Sequence, residues 1–348
     1  MSLPRLDFQN LPQTYVIAEI SANHNGSIES ALDLIRIAKE CGADAVKIQT
    51  YTADTLTLDC DNEYFRIGGG TLWDGSTLHQ LYQEAYTPWE WHGAIFEKAR
   101  ELGIDCFSTP FDASSVDFLE QFDPPCYKIA SFELVDHGLL RKVASTGRPV
   151  ILSTGMATYT EIEEAVQVLR SAGCAELALL KCTSAYPAPP EEANLSRIPH
   201  MAAAFQCTVG LSDHTLGIVS PVAAVALGAK IIEKHICRSR SEPGPDSAFS
   251  LEPAEFKSMI EAVRFAEKAV GEPTYERTAK EAAGLTFRRP LFVSRPIAKG
   301  EAFTSENVRS VRPSHGLPPK HLEEILGRTA SRDIEFGSPL QWEDVSKD

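Results

Sequence analysis

The chain has 348 residues, 43% hydrophobic and 23% charged, proportions of a globular protein long enough for one large domain and a small one. Its formal net charge is −15 with no block of Lys or Arg, which argues against nucleic acid and anionic membrane as partners. Eight Cys occur without a Cys-x-x-Cys spacing, and neither the N-terminal stretch nor the segment around Val219 to Ala229, broken by Ser220, Pro221 and Gly228, reads as a signal or a membrane span. A reduced, cytoplasmic protein is expected, with Cys106, Cys182 and Cys207 as small buried hydrophobes.

In chain order, strand and helix patterns alternate. Tyr15 to Ile20 is a short apolar run that predicts the first strand. Ile28 to Cys41 predicts a helix, with Ser27 as its cap, Ile28, Leu32 and Ile35 on one face and Gly42 as its stop. Ala45 to Gln49 predicts the second strand. An insertion from Thr50 to about Pro88 follows, containing Gly68-Gly69-Gly70 and Trp73-Asp74-Gly75. Its length and its aromatic residues Tyr51, Tyr64, Phe65 and Trp73 mark it as a functional loop. Trp89 to Leu102 predicts a helix, Asp105 to Ser108 the third strand, Tyr127 to Ala130 the fourth and Pro149 to Ser153 the fifth. Thr158 and Glu161 form a capping-box pattern ahead of a helix bearing Ile162, Ala165, Val166 and Leu169. Leu177 to Cys182 predicts the sixth strand. Val209 to His214 and Ile231 to His235 flank an Ala/Val-rich helical segment and supply the seventh and eighth. Eight βα units in succession predict a (β/α)8 TIM barrel.

Polar residues collect where these strands end. Glu19 ends the first, Lys47 and Gln49 the second, Ser108 and Thr109 the third. Lys128, Ser131 and Glu133 sit at the fourth, Ser153 at the fifth, and Ser184 and Tyr186 at the sixth. Strands seven and eight each finish on a histidine, His214 and His235. A single such residue is most often a cap or a solvated side chain; one at the same end of every strand points to a site on the carboxyl face of the barrel. Two imidazoles there suit a divalent metal with open positions, which would polarise a carbonyl oxygen. Lys47 and Lys128, with the hydroxyls of Thr109, Ser131, Ser153, Ser184 and Ser212, make a cradle for a small phosphorylated or carboxylated ligand. Glu19 and Glu133 are the carboxyls available for orientation or proton transfer. No nucleotide-binding glycine loop follows the first strand, and metal-assisted condensation, aldol cleavage and hydrolysis all stay open on these residues alone.

The last barrel helix is expected at Phe256 to Val270. The predicted domains are a barrel at 1–271, a linker at 272–289 and a tail domain at 290–348. The tail holds an internal repeat: Ser294 to Val308 aligns with Ser331 to Val345 in the frame Ser-Arg-x-Ile-x-x-Gly, then Glu-[Asn/Asp]-Val. Strand, glycine turn and short helical turn is the natural reading of each half, giving a small pseudo-symmetric β-rich domain. Between the halves, Val311-Arg312-Pro313-Ser314-His315-Gly316-Leu317-Pro318-Pro319 predicts a stiff projecting loop with Arg312 near its start.

The motifs Glu19-Ile-Ser-Ala-Asn23-His24-Asn-Gly26, Lys47-Ile-Gln49, Ser108-Thr109-Pro-Phe111, Tyr127-Lys128-Ile-Ala-Ser131-Phe-Glu133, Leu152-Ser153-Thr-Gly155, Cys182-Thr-Ser184-Ala-Tyr186-Pro, Gly210-Leu-Ser212-Asp-His214 and Glu233-Lys-His235 occur in that order. Together they resemble the sialic acid synthase (NeuB-like) family, and the tail resembles that family's antifreeze-like (SAF, β-clip) domain. Gly69-Gly70-Thr-Leu-Trp73, Tyr86-Thr-Pro88-Trp89-Glu-Trp91-His92, the loop around Arg312 and Ser184, where sialic acid synthases carry Asn, are similar to its pseudaminic acid synthase branch. Pro243-Gly244-Pro245-Asp246 is similar instead to the sialic acid branch.

The resemblance implies a transferase that condenses phosphoenolpyruvate with an open-chain N-acetylated amino sugar, here 2,4-diacetamido-2,4,6-trideoxy-L-altrose, giving pseudaminic acid and phosphate. N-Acetylneuraminate or legionaminate synthesis is the alternative, and a metal-dependent aldolase a weaker one. It implies that His214 and His235 hold Mn2+, with Mg2+ or Co2+ as substitutes. Lys47, Thr109, Lys128, Ser131, Ser153, Ser184 and Ser212 would contact phosphoenolpyruvate; Gln49, Glu133, Tyr186, Asp246 and Arg312 would face the sugar. It also implies a domain-swapped homodimer. A non-enzymatic reading, with the tail as a sugar- or ice-binding module, sits poorly beside so fully furnished a barrel.

Overall fold

The structure, a computed structural model, describes residues 5–68, 70, 73–242 and 244–347. Gly69, Thr71, Leu72 and Pro243, parts of motifs noted above, lie outside the described residues. Contacts divide the chain into two compact units, Met1–Gly271 and Glu272–Asp348.

The first unit is built on eight parallel strands: β1 (Tyr15–Glu19), β2 (Ala45–Thr50), β3 (Asp105–Pro110), β4 (Tyr127–Ile129), β5 (Val150–Ser153), β6 (Leu177–Cys182), β7 (Thr208–Asp213) and β8 (Ile231–His235). Their order is β3-β2-β1-β8-β7-β6-β5-β4, and β3 and β4, at the two ends of that order, lie side by side. A ring in which each strand neighbours the next is the predicted barrel. The eight helices that follow the strands are α1 (Ile28–Cys41), α2 (His92–Leu102), α3 (Ala113–Leu119), α4 (His137–Ala144), α5 (Tyr159–Ser171), α6 (Arg197–Phe205), α7 (Val219–Ala226) and α8 (Pro253–Val270). Sequence chemistry sets their ends. Ser27 accepts from the Ser30 amide ahead of α1, Gly42 ends α1 in a left-handed conformation, and Thr158 and Glu161 close the expected capping box on α5. Among the described residues no helix is long and apolar enough to cross a membrane.

Strand parity sorts the side chains. Val16, Ala18, Val46, Ile48, Val150, Leu152, Leu211 and Ile232 join the core between sheet and helices. Tyr15, Ile17, Ala45, Phe107, Ile151, Ala178, Leu180 and Ile231 fill the barrel interior, with Phe8 from the segment before β1 packed among them. Continuing the inward parity toward the carboxyl ends leads to Glu19, Lys47, Gln49, Thr109, Lys128, Ser153, Cys182, Ser212, Glu233 and His235. The barrel therefore changes from apolar to polar within one turn of the pleat. That change positions the site.

Three expectations change. The insertion after β2 is not a structureless loop: it contains helices at Ala53–Leu56 and Leu78–Ala85, each with a capping box from a threonine. The linker carries a helical turn at Ala279–Gly284, started by a Thr278/Glu281 capping box. The tail is sparer in strand than its repeat suggested, because among the described residues its regular sheet is only β9 (Leu291–Val293) against antiparallel β10 (Val308–Ser310). Its glycine turns and prolines interrupt longer ladders. The pseudo-symmetry itself is present. Equivalent Ile297 and Ile334 pair with each other, and Ser294 and Ser331 donate their amides to the equivalent Asn307 and Asp344 carbonyls. The second unit has its own core, including Leu291, Val293, Ile297, Phe303, Ile334 and Leu340.

Candidate active site

At the carboxyl end of the barrel, buried charges are matched against one another. Lys47 Nζ lies 2.5 Å from Glu19 Oε2 and 3.7 Å from Glu233 Oε1, and donates to Thr109 Oγ1 at 3.1 Å. Glu233 Oε1 also accepts from Ser212 at 2.9 Å, while its Oε2 is buried without a hydrogen-bond partner. Lys128 donates to Ser153 Oγ at 2.7 Å and to the Ile129 carbonyl at 2.8 Å. Ser131 and Ser184 come together over Gly155: a methyl placed there would lie 2.6 Å from both hydroxyl oxygens. Two ammonium groups and five hydroxyls thus line one end of the barrel, a donor set suited to an oxyanion.

Burial pushes Glu19 up to about 7, because the cost of enclosing its charge exceeds what Lys47 returns, and neighbouring Glu233 adds repulsion. For Glu233 burial acts the same way, but Lys128, Lys47 and the Ser212 hydroxyl outweigh it and hold its carboxyl below the usual range. Of two carboxyls around one ammonium, Glu19 is the one poised to hold a proton near neutrality.

The histidines stand beside this cluster. Their ring centroids are 5.4 Å apart, and Phe249 packs edge-on against His235 at 4.9 Å. His214 Nδ1 donates to the Thr183 carbonyl at 2.9 Å, which leaves Nε2 as the nitrogen for a metal; burial opposes its charge, but Cys182 and the Thr183 carbonyl outweigh that and hold His214 above its ordinary range. His235 Nδ1 is buried with no hydrogen-bond partner, 3.9 Å from Asp246 Oδ2, and burial pushes His235 well below its ordinary range, into the neutral form that binds metals. A neutral imidazole with an orphaned buried nitrogen, beside a second imidazole that can exchange a proton for a metal, fits a divalent cation. Among the described residues no group of three or more His, Cys, Asp or Glu could hold a metal, so such a site would have open positions for water or substrate.

Aromatic residues form one wall. Tyr186 packs on His214 at 4.4 Å between centroids, and Trp73 of the insertion lies 5.9 Å from Tyr186, its indole N–H donating to the Pro245 carbonyl at 3.3 Å. Gln49 donates to Ser21 Oγ at 2.9 Å and to Glu19 Oε1 at 3.4 Å; Asp246 accepts from the Ala22 amide at 3.3 Å.

The structure thus brings together Glu19, Lys47, Gln49, Thr109, Lys128, Ser131, Ser153, Ser184, Tyr186, Ser212, His214, His235 and Asp246. Glu133 follows β4 on a short 3-10 turn, half-buried, with its Oε2 unpartnered. Arg312 lies in the tail unit, exposed, donating from Nε to the Phe287 carbonyl at 2.6 Å with its guanidinium 5.6 Å from that ring's centroid. Cys106 is core, but Cys182 points inward, its sulfur 3.9 Å from both His214 Nδ1 and Ser184 Oγ. It is a site residue and not a core filler. Glu233 heads one of the sequence motifs but carries no role there; its signal is parity, two residues before His235 on the same face.

A family model described as the NeuB family matches residues 34–275, and one described as the SAF domain matches residues 288–346. The chain belongs to the NeuB family. It is 49% identical to a pseudaminic acid synthase of Campylobacter jejuni, over 97% of this chain and 98% of the relative. Identity to an N,N'-diacetyllegionaminic acid synthase of Legionella pneumophila is 36%, over 95% and 94% respectively. Among solved structures, an N-acetylneuraminic acid synthetase of Leptospira borgpetersenii, crystallised with citrate, superimposes with a TM-score of 0.72 at 30% identity, covering 82% of this chain and 96% of that one.

Proposed function

We propose that this chain is a pseudaminic acid synthase, condensing phosphoenolpyruvate with 2,4-diacetamido-2,4,6-trideoxy-L-altrose and water to give pseudaminic acid and phosphate. The observation that carries the reaction class is the histidine pair beside a cradle of two buried lysines and five hydroxyls at one end of the barrel. The sugar assignment rests on the greater identity to the Campylobacter enzyme than to the legionaminic acid synthase.

In this reading Lys47 and Lys128 neutralise the phosphate and carboxylate of phosphoenolpyruvate, and Thr109, Ser131, Ser153, Ser184 and Ser212 fix its orientation. His214 and His235 would hold a divalent ion, Mn2+ in our proposal, which polarises the sugar's aldehyde when bound. The C3 carbon of phosphoenolpyruvate bonds to the aldehyde carbon, water adds at C2, and the C–O bond to phosphate breaks as the ketone forms. The new hydroxyl needs a proton and the attacking water releases one. Glu19, poised near neutrality, is the group we assign to that exchange.

Gln49, Glu133, Tyr186 and Asp246 are assigned to the sugar. Trp73 and Tyr186 offer apolar surface to a 6-deoxy carbon. A cavity of about 470 Å³ lined by Asn25, Trp73, Asp74, Leu81, Glu84 and Gly244 leaves room for a second acetamido group. Asp246, from the segment similar to the sialic acid branch, stands near His235, which favours N-acetylneuraminate or legionaminate synthesis as the second reading. We further propose a homodimer in which Arg312 of one chain serves the partner's barrel, on the strength of the family resemblance and of an almost wholly exposed linker.

The test is phosphate release from purified protein given Mn2+ and phosphoenolpyruvate with each sugar in turn, the product identified by mass. Release should require the sugar and be fastest with the diacetamido-trideoxy compound. Equal or faster turnover of N-acetylmannosamine would reassign the sugar. Phosphate release without any sugar would remove the condensation.

A further inference from the structure

Directly behind the histidine pair, on the opposite face of the sheet, sits a buried charge cluster that the chemistry above does not use. Val209 and Leu211 of β7 and Ile232 of β8 face the helices, so Asp213 and Lys234, of the same parity, face them too. The two are register partners on adjacent strands, and each immediately precedes a histidine. Lys234 Nζ lies 2.5 Å from Asp213 Oδ2, with side-chain exposures of 0% and 2%. The same ammonium donates to the Thr215 carbonyl. Asp213 in turn accepts from the Thr215 amide at 3.0 Å and the Thr215 hydroxyl at 3.1 Å. His214 is therefore held between two residues that both bond to Lys234, and Lys234 is bonded covalently to His235.

We propose that Asp213, Thr215 and Lys234 are positioning residues that fix the separation and aim of His214 and His235 for a divalent cation. A buried ion pair is weak grounds for stability, because apolar residues of similar volume often serve as well. What this one supplies is geometry. Each histidine follows the pair directly, just past the last β7–β8 register partners, and a single ammonium ties the two strand ends together. The amide of Ala188 donates to the His214 carbonyl at 2.9 Å, which secures the remaining side of that turn. Loosening such a support lowers metal affinity without touching a ligand.

The inference rests on the histidine pair being a metal site, so the experiment includes a variant that tests that premise. Full-length protein is stripped with chelator and titrated with Mn2+, and the free ion is followed by electron paramagnetic resonance. Wild type is compared with Asp213→Asn/Lys234→Met, which removes both charges together, with Thr215→Val, which keeps both, and with His235→Ala. The double variant should bind Mn2+ about 10- to 100-fold more weakly, and Thr215→Val should also be weakened. At saturating Mn2+ turnover should largely return while the apparent metal constant stays raised, a split that mere loss of stability does not produce. Unchanged Mn2+ affinity in a double variant with native circular dichroism overturns the proposal. Should that variant not fold, unchanged affinity in Thr215→Val overturns it alone. Wild type binding no better than His235→Ala would instead bring down the metal site itself, and this inference with it.

Discussion

Glu133 shows what burial does to a single carboxyl. Enclosure after β4 pushes it from 4.5 to about 7, with Lys128 only partly opposing, and its Oε2 has no hydrogen-bond partner. The folded chain therefore holds a proton that the unfolded chain has released between those values. A raised carboxyl contributes stability that is complete below about pH 4.5 and is lost as pH rises through about 7. Glu19, also raised to about 7, acts in the same direction. Glu133→Gln keeps the shape and cannot ionise. Its denaturant midpoint should fall less than that of wild type between pH 5 and pH 7.5, and equal falls would show that Glu133 titrates alike in both states. Residues such as Glu133 were legible because they sit where strands end. Glu233 was passed over because strand ends drew attention to His235, although parity places both side chains on one face.

At the level of the element, strands were easier to read than helices. Short apolar runs bounded by turn residues mark β1, β6 and β8 plainly, with β-branched residues in β1 and β8. Helices α3 and α4 went unmarked, although Asp112 and Asp136 cap them with side-chain hydrogen bonds, because seven or eight residues show barely two turns of periodicity. α6 carries Pro199 in its first turn and lacks a side-chain cap, so its sequence signal was weaker still. The turn after β5 is where element and chemistry meet. Gly155 has φ +30°, and a methyl there would lie 2.4 Å from Ser131 Cβ as well as against both serine hydroxyls. Gly173 provides the control, with φ +96° and nothing within 4 Å. Alanine at either position should cost about 1–2 kcal/mol of stability from the left-handed backbone. Gly155→Ala alone should also lower turnover, by about 100-fold if a serine shifts by an ångström, with weaker phosphoenolpyruvate binding. Matching activity in the two variants would show that Ser131 and Ser184 do not need their present places.

On the scale of the molecule, the barrel and the tail each enclose a core of their own, and the repeat in the tail is mirrored in its hydrogen bonds. A unit with a core of its own can serve its own chain or another. Arg312 belongs to that unit, and its side chain is engaged by a single backbone carbonyl and one aromatic face. If Arg312 donates to the sugar in the partner's barrel, as we propose, losing that charge-assisted contact should cost about 1.5–3 kcal/mol and raise KM for the sugar more than for phosphoenolpyruvate. An exposed Arg without such a role would change little on truncation. The two possibilities separate in mixed dimers. Arg312→Ala and His214→Ala proteins are each impaired, one lacking the guanidinium and the other the histidine pair. Once subunits exchange, a heterodimer has one barrel with both histidines facing a tail that still bears Arg312, so activity should rise above the sum of the two parents. Its second barrel lacks both, so recovery should approach half of the wild-type value per heterodimer. Exchange verified by native mass spectrometry without any recovery would mean that Arg312 works within its own chain or at no site.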